Sequence, residues 1–281
     1  MTEPAVFPRQ TARWLEVVYG GHLDPLDPAE WYHEASKVSP AQIGRQVAGA
    51  ARLDATPDLQ LSMTRAVRRL PLPRRELPRP RRPDLTLWQA ITERRSCRQF
   101  AEEPVAVADL AALLHAAYGV TQGFDPGERR HTLPLRAVPS GGALYPLELY
   151  VGALRVDGLA PGLYHFDPLK ASLAVIHDSL IPEDVAALST YPEIVAASAA
   201  EVFVAAVFGR TRFKYGLRGY RFALLEAGHV GQNLVLTATA LGLAAVPLGG
   251  YYDRLTDEFL GLDGVNESTL YTLAVGSRSS E

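Results

Sequence analysis

The chain has 281 residues, 47% of them hydrophobic and 21% charged, which is the composition of a globular protein with a buried core. Its formal net charge of −3 excludes an overall positive field that would draw it to nucleic acid or to anionic lipid. The single cysteine, Cys97, excludes an intrachain disulfide and a cysteine-based zinc site. No other group of residues has the spacing of a metal site.

The sequence gives no sign of export or of insertion into a membrane. The first ten residues lack the basic-then-apolar pattern of a signal peptide. The longest apolar stretch, residues 223–250, is interrupted by Glu226, His229, Gln232 and Asn233, which favours a buried core helix over a membrane span. We therefore expect a soluble cytoplasmic protein with neither membrane nor nucleic acid among its partners.

The first part of the chain is predicted to be a helical extension that ends in an arm. Up to about residue 69, short amphipathic stretches alternate with proline-rich breaks. Residues 71–83 then contain five prolines and five arginines, which predicts an extended arm because proline fixes φ and removes a donor. The Pro80–Pro83 spacing also suits an aromatic groove on a partner, but we favour an arm lying over its own domain. This gives an extension at residues 1–83 and a main domain at residues 84–281.

The main domain mixes helices and strands. A helix is predicted near Leu87, because Thr86 and Gln89 have the spacing of a capping box. VADLAALLHAAYG predicts a second helix that ends at Gly119. Further on we predict two strands joined by a turn, at residues 162–167 and 171–178, and then a helical pair at residues 181–200. A central strand at residues 201–209, a long helix at residues 218–243 and a final strand at residues 269–277 follow. Without regular βαβ alternation, this order predicts an α+β fold with a mostly antiparallel central sheet flanked by helices.

A cluster of cations follows the first helix of this domain and consists of Arg94, Arg95, Ser96 and Arg98. Arginine forks match phosphate oxygens, and no carboxylate lies within the cluster to neutralise it. A bound anion and a solvated helix end are both open interpretations. No GxGxxG, P-loop, HExxH or GxSxG motif is present.

Two glycine-rich turns suit the edge of a flat ligand. Pro139, Ser140 and Gly141 open the stretch PSGGALYP, where adjacent glycines let the backbone approach a ring and Ser140 can bond a heteroatom. Gly249 lies in the second turn, PLGG, where its amide can point at a ligand atom. An ordinary turn before a strand explains the first stretch equally well.

Residues 208–222 hold five basic and five aromatic side chains and no acid. Cations and stacking rings suit a single nucleic-acid strand, but the acidic chain as a whole argues against that partner. A basic surface segment is another interpretation, and a further one is that Lys214 and Tyr215 in this segment border a ligand site. In an extended segment these side chains would point to opposite faces, so Gly216 and Gly219 would have to make the backbone irregular.

Five stretches occur in the order ERRSCRQF, PSGGALYPLELY, KYGLRGYRFALLEAGHVGQN, LGLAAVPLGGYYD and LYTLAVGSR. Together they resemble the nitroreductase-like flavoproteins, and within them the SagB-type dehydrogenases, which include the azoline oxidases of peptide natural-product pathways. The resemblance runs from about residue 84 to residue 278. It implies a nitroreductase-like fold and a homodimer with FMN at the subunit interface.

The resemblance also implies residue roles by motif position. The residues that would hold the FMN phosphate are Arg94, Arg95, Ser96, Arg98 and Arg278. Those that would line the flavin ring are Pro139, Ser140 and Gly141, with the Gly249 amide near N5. Gln232 and Asn233 lie where the family packs its core and its cofactor, and either role is open.

Lys214 and Tyr215 match a functional Lys-Tyr pair of the azoline-oxidising relatives. Forming an aromatic azole removes a hydride, which would go to flavin N5, and a proton, which needs a base such as this pair. The roles of His229, Tyr251 and Tyr252 stay open.

The leading hypothesis is an FMN-dependent oxidase or dehydrogenase that acts on an azoline or a similar amino-acid-derived unit. The substrate would be carried on a peptide or a carrier protein, with a cyclodehydratase or synthetase as a further partner. One alternative is an NAD(P)H-dependent reductase of nitroaromatics or quinones. Another is a non-catalytic scaffold subunit of a biosynthetic complex, which the intact arginine cluster disfavours.

Overall fold

The computed structural model describes residues 28–40, 48–124 and 133–279. Two compact units divide the chain, residues 1–46 and residues 47–281. The described part of the first unit contains the helix α1, Pro28–Ala35. Residues 1–27 and 41–47 of the predicted helical extension lie outside the described residues.

The second unit combines helices and strands throughout its described length. Its helices are α2 (Ala48–Ala55), α3 (Pro57–Thr64), α4 (Leu87–Glu93), α5 (Val107–Tyr118), α6 (Pro182–Ala186), α7 (Pro192–Ala197), α8 (Phe208–Tyr215), α9 (Arg218–Ala240) and α10 (Asp253–Phe259). Its strands are β1 (Arg74–Glu76), β2 (Phe100–Ala101), β3 (Val105–Ala106), β4 (Val120–Phe124), β5 (Leu133–Arg136), β6 (Leu147–Ala153), β7 (Val156–Asp157), β8 (Gly162–Asp167), β9 (Ser172–His177), β10 (Ala200–Val207), β11 (Leu243–Leu248) and β12 (Glu267–Arg278).

The main sheet runs in the order β1-β9-β8-β6-β10-β12-β11, with β2 added to the end of β12. Every neighbouring pair in it is antiparallel, so the predicted α+β fold with an antiparallel central sheet is confirmed. The predicted central strand is β10, which lies between β6 and β12 and is buried along most of its length. None of the described helices is both long and apolar enough to cross a membrane.

Helices cover both faces of this sheet. On one face, Leu113 of α5 and Val230 of α9 belong to the same buried cluster as Val202 of β10. On the other face, Val185 of α6 packs in a second cluster with Phe203 of β10. Burial of each such aliphatic side chain contributes about 1.5–3 kcal/mol to the stability of the fold. Because successive side chains of β10 point to opposite faces of the sheet, this one strand packs against the helices on both faces.

The arm at residues 71–83 lies on the sheet. Its residues Arg74–Glu76 form β1, which pairs with β9 from Arg74↔Ala174 to Glu76↔Ser172. The compact unit that contains the sheet begins at residue 47, whereas the sequence suggested a division after residue 83. A strand paired over such a sequence distance leaves no local signal, so the prolines predicted an extended arm but not its pairing with β9.

A buried carboxyl lies in the middle of the sheet. Glu201 of β10 is 2% exposed, and its Oε2 has no hydrogen-bond partner among the described residues. Burial raises the pKa of Glu201 to about 8, and a hydrogen bond with Thr272 offsets only part of that rise. The folded protein therefore holds a proton here that the unfolded chain releases at lower pH.

This carboxyl predicts a pH-dependent stability. Between the ordinary pKa of 4.5 and about 8, the folded state binds one proton more at Glu201 than the unfolded state does. As the pH rises through that window, this group should therefore lower the free energy of unfolding by about 1.4 kcal/mol per pH unit. Glu201→Gln should make the measured fall shallower by this amount, and the exposed Glu258→Gln should leave it unchanged. Urea unfolding at several pH values measures it, and an unchanged pH slope in Glu201→Gln would contradict the burial of an uncharged Glu201.

Candidate active site

Lys214 and Tyr215 both reach the glycine turn of the PSGG stretch. A Cβ placed on Gly142 would lie 2.7 Å from the Tyr215 hydroxyl oxygen and 3.1 Å from Lys214 Nζ. Gly142 has a φ of 65°, a left-handed conformation that glycine adopts at little cost. The two side chains therefore converge on a strip of backbone that carries no side chain of its own.

The two residues lie at the end of a helix, and the extended backbone considered from the sequence is wrong. Residues Phe208–Tyr215 form α8, which ends at Gly216 with a φ of 55°. Neighbouring side chains of a helix diverge by roughly 100°, so both can reach one turn without the irregular strand that was expected. The prediction missed α8 because its basic and aromatic residues show no clear helical pattern.

A buried ion cluster holds α8 against β6. Arg210 of α8 donates to the Glu148 carboxylate and, through Nη1, to the Tyr145 carbonyl at 3.2 Å. His165 Nε2 lies 2.7 Å from the other Glu148 oxygen. Burial alone would raise the pKa of Glu148, but His165 and Arg210 outweigh it and lower the pKa to about 2. The anchored Arg210 thereby fixes the helix that carries Lys214.

A cavity of about 260 Å³ opens beside this turn. The turn side is formed by Pro139, Ser140 and Gly141, and the α9 side by Phe222, Leu225, Glu226 and His229. The Tyr215 and Phe222 rings meet edge to face at 4.9 Å between centroids, so Tyr215 packs directly against a wall of the cavity. The three turn residues predicted from the sequence thus line one cavity together.

Glu226 forms the buried end of that cavity. The Tyr118 hydroxyl donates to its Oε1 at 2.7 Å and accepts the Leu147 N–H at 3.0 Å. Glu226 Oε2 is buried without a hydrogen-bond partner among the described residues. Burial raises the pKa of Glu226 to about 7, while Ser140 and Tyr118 lower it less. The carboxyl can therefore hold or release a proton near neutral pH, a property that its sequence position alone did not reveal.

A stacked arginine extends this network into the core. The Arg136 guanidinium carbon lies 4.4 Å from the Tyr118 ring centroid and 4.6 Å from that of Tyr145. Its Nη2 donates to the Ala66 carbonyl at 3.2 Å. The charge of Arg136 also lowers the pKa of Glu226, though less than burial raises it.

A second cavity, of about 410 Å³, brings together two predicted arginines that are far apart in the sequence. Arg98 and Arg278 both line it, because β2 pairs with the end of β12 and places Phe100 opposite Arg278. Neither arginine forms an ion pair in the part of the chain that the structure describes. A cavity with two free guanidinium groups suits an anion.

The other members of the predicted phosphate clamp have different surroundings. The Arg95 guanidinium donates to the carbonyls of Thr92 and Arg94 at 3.0 and 2.8 Å, at the end of α4. Arg94 lies 3.5 Å from the Ser96 hydroxyl. Contact of these three residues with a phosphate stays a prediction.

The remaining predicted residues lie around α9 and the end of β11. Asn233 Nδ2 donates to the Ala116 carbonyl at 2.8 Å and so ties α9 to α5, while Gln232 is exposed. Gly249 is exposed with open space around its Cβ position. The Tyr251 hydroxyl donates to the Thr269 carbonyl at 2.9 Å, whereas Tyr252 is exposed. Contact of Gln232, Asn233 and Gly249 with a cofactor stays a prediction.

Comparison with known proteins identifies the family. The chain belongs to the nitroreductase family, whose model matches residues 91–277. This makes the chain an oxidoreductase by family.

Three similar proteins refine that identification. MJ1384 of Methanocaldococcus jannaschii is 34% identical over 197 residues, 69% of this chain and 92% of that protein. The microcin B17-processing protein McbC of Escherichia coli is 32% identical over 153 residues, 50% of this chain and 51% of McbC. A chain in the structure of the E. coli microcin synthetase McbBCD complex with truncated pro-MccB17 bound has the same fold, with a TM-score of 0.55 at 22% identity over 87% of this chain and 99% of that chain. The similarity to McbC confirms the predicted SagB-type branch of the family, although this chain spans about half the length of McbC.

The approach of α8 to the turn predicts a steric response to Gly142→Ala. The new Cβ would meet the Tyr215 hydroxyl, and the left-handed backbone costs a non-glycine residue about 1–2 kcal/mol. Denaturant unfolding should show at least that loss of stability, and adding Tyr215→Ala should restore the steric part of it.

Gly209→Ala is the matched control, because Gly209 lies on the same helix and no atom lies within 4 Å of its Cβ position. It should be neutral or stabilising by up to about 1 kcal/mol. A Gly142→Ala protein as stable as the parent would show that α8 does not approach the turn in solution.

Proposed function

We propose that this chain is an FMN-dependent oxidoreductase that oxidises an azoline, or a similar amino-acid-derived unit, carried on a peptide. The single observation that carries this proposal is the convergence of Lys214 and Tyr215 on Gly142, beside a cavity lined by the same turn. A pair of proton-accepting side chains at a ring-sized cavity suits removal of a C–H proton next to a bound redox ring.

The residues present fit FMN. The cavity with Arg98 and Arg278 suits the phosphate, with Arg94, Arg95 and Ser96 next to it in sequence. Pro139, Ser140 and Gly141 suit the ring, since Gly141 and Gly142 leave backbone open to a flat ligand, and Gly249 has open space around it. The bound FMN would accept a hydride at N5.

The chain's own residues would handle the proton. Turning an azoline into an azole breaks two C–H bonds and forms one ring double bond, so one hydride and one proton leave the substrate. Lys214 Nζ would take the proton as the neutral amine, and no carboxylate in the described part of the chain pairs with it to favour the charged form. Its amine lies 5.4 Å from the Tyr215 ring centroid, and Tyr215 would orient it and offer a hydroxyl to the same proton.

A second copy of the chain would complete the site. Leu87, Trp88 and Ile91 of α4 are exposed, and so are Leu224 and Leu225 of α9. Such a group of exposed apolar side chains is typical of an interaction surface. Leu225 also lines the cavity beside the turn, so a homodimer formed through these helices would cover the cavity and exclude water.

The proposed substrate and partners rest on the similarity to McbC and to the fold in the McbBCD complex. These support a peptide substrate and a synthetase or cyclodehydratase partner for this chain. The visible spectrum of the purified protein tests the cofactor, and anaerobic mixing tests the reaction. Bleaching by an azoline peptide but not by NADH would support oxidation, whereas bleaching by NADH alone would favour a nitroreductase-type reaction.

The proton-transfer role predicts a specific defect in Lys214→Ala. This variant should keep its bound FMN and lose azoline oxidation by about 10²–10⁴-fold in kcat, because general base catalysis contributes that much. Arg212→Ala, which removes an exposed cation of the same helix, is the control and should stay near the parent rate. Full activity of Lys214→Ala would place the base elsewhere.

The phosphate role predicts a loss of cofactor affinity. Arg98→Ala and Arg278→Ala should each weaken FMN binding by about 10–100-fold, since a hydrogen bond to a charged group contributes about 1.5–3 kcal/mol. Riboflavin, which has no phosphate, should bind parent and variants alike. Arg254→Ala removes an exposed arginine of α10 and should change nothing. Equal weakening of riboflavin would contradict a phosphate contact.

A further inference from the structure

Three arginines fix the segment at residues 65–83 to the rest of the domain. Arg68 donates to Glu267 at 2.8 Å and to the Gly261 carbonyl at 3.0 Å. Arg74 donates to Asp167 at 3.0 Å, and Arg81 lies 3.2 Å from both oxygens of Asp109. Their carboxylate partners are mostly buried. These three arginines therefore hold the segment in place.

A cavity of about 640 Å³ lies between this segment and the turn that joins β8 to β9. Its charged lining residues are Arg65, Arg69, Arg74, Lys170 and Asp167. The Asp167 carboxylate is already used by Arg74 and by the backbone N–H groups of Leu169 and Lys170, at 3.0 and 3.2 Å. Beside the Arg74–Asp167 ion pair, Arg69 and Lys170 give this lining positive charge that Asp167 does not neutralise.

The cavity also has apolar walls. Leu70 and Leu169 line it beside the cations, and Leu169 is 40% exposed. Arg69 and Lys170 are exposed and form no ion pair within the described ranges. A free inorganic anion would use only the cations, whereas an acidic peptide with an apolar side chain would use both kinds of surface.

The neighbouring backbone can pair with an extended chain. β1 is the end strand of the sheet as described and hydrogen-bonds to β9 on one side. An end strand has a second row of N–H and C=O groups that an extended peptide can use. Arg74 belongs both to β1 and to the lining of the cavity.

We propose that the cavity lined by Arg69 and Lys170, together with the edge of β1, binds an acidic, extended segment of the peptide substrate. The segment would lie away from the residue that reacts, and its carboxylates would meet the cations while an apolar side chain meets Leu70 and Leu169. The identity of the occupant as a peptide rests on the proposed function, but the preference for acid follows from the charge of the lining.

Fluorescence anisotropy with two labelled peptides of equal length tests this site. One peptide alternates Glu and Leu, and the other alternates Lys and Leu. The acidic peptide should bind the full chain, and its affinity should fall as salt is added. The double variant Arg69→Glu with Lys170→Glu should weaken it by about tenfold or more, because like charges repel.

Arg82→Glu is the matched control, since Arg82 is an exposed arginine of the same segment that does not line the cavity. It should leave the affinity near that of the parent. Equal binding of the two peptides, or equal weakening by Arg82→Glu, would overturn the proposal. So would competition by inorganic phosphate as strong as that by unlabelled peptide, which would show a site for free anions.

The double variant should keep its FMN spectrum and its rate on a small azoline that lacks the acidic segment. Loss of both the FMN spectrum and this rate in the double variant would mean that the substitutions damage the fold. The conservative double variant Arg69→Gln with Lys170→Gln then tests the proposal in its place. If that pair binds the acidic peptide as tightly as the parent does, the proposal is wrong. A parent protein without flavin that still binds the acidic peptide would contradict the proposed function alone.

Discussion

The close approach of α8 to the turn at Gly142 is the constraint on which the rest of the site depends. A side chain at this position would occupy the space of the Tyr215 hydroxyl and the Lys214 amine. Because Gly142 lacks a Cβ and adopts a left-handed backbone, two reactive groups can lie against a main-chain surface. The cavity beside the turn is then lined by bare backbone on one side and by α9 on the other.

Buried polar groups hold these parts in place. Glu148 anchors α8 through Arg210, and Glu226 joins α9 to Tyr118 of α5, whose hydroxyl also binds the first backbone N–H of β6. Glu148 stays charged because His165 and Arg210 lower its pKa to about 2, while burial raises the pKa of Glu226 to about 7. Removing one partner from a network of this kind leaves a buried polar group unsatisfied, which costs about 1–3 kcal/mol. The site therefore combines a fixed charge with a carboxyl that titrates near neutral pH.

Much of the fold could be predicted from the sequence, because its signals are local. The capping box at Thr86 and Gln89 is present, with hydrogen bonds in both directions, and the long helix and the central strand follow their apolar patterns. The order of the motifs also predicted that Pro139, Ser140 and Gly141 line one site. It likewise predicted that Arg98 and Arg278 come together, as they do in the lining of the second cavity. What the sequence could not reveal depends on distant contacts, such as the ion pairs of Arg68 and Arg74, the burial of Glu226 and the helical state of Lys214 and Tyr215.

The central claim is that the turn at Gly142 forms the active site. The most direct test of this claim is a crystal structure of the protein in complex with FMN. We predict that the flavin ring lies against Pro139, Ser140 and Gly141 with Lys214 Nζ and the Tyr215 hydroxyl turned towards the same face of the ligand site. We also predict that the phosphate lies between Arg98 and Arg278. A flavin bound elsewhere, or one whose ring lies far from Gly142 while Lys214 and Tyr215 face solvent, would contradict the claim that this turn forms the active site.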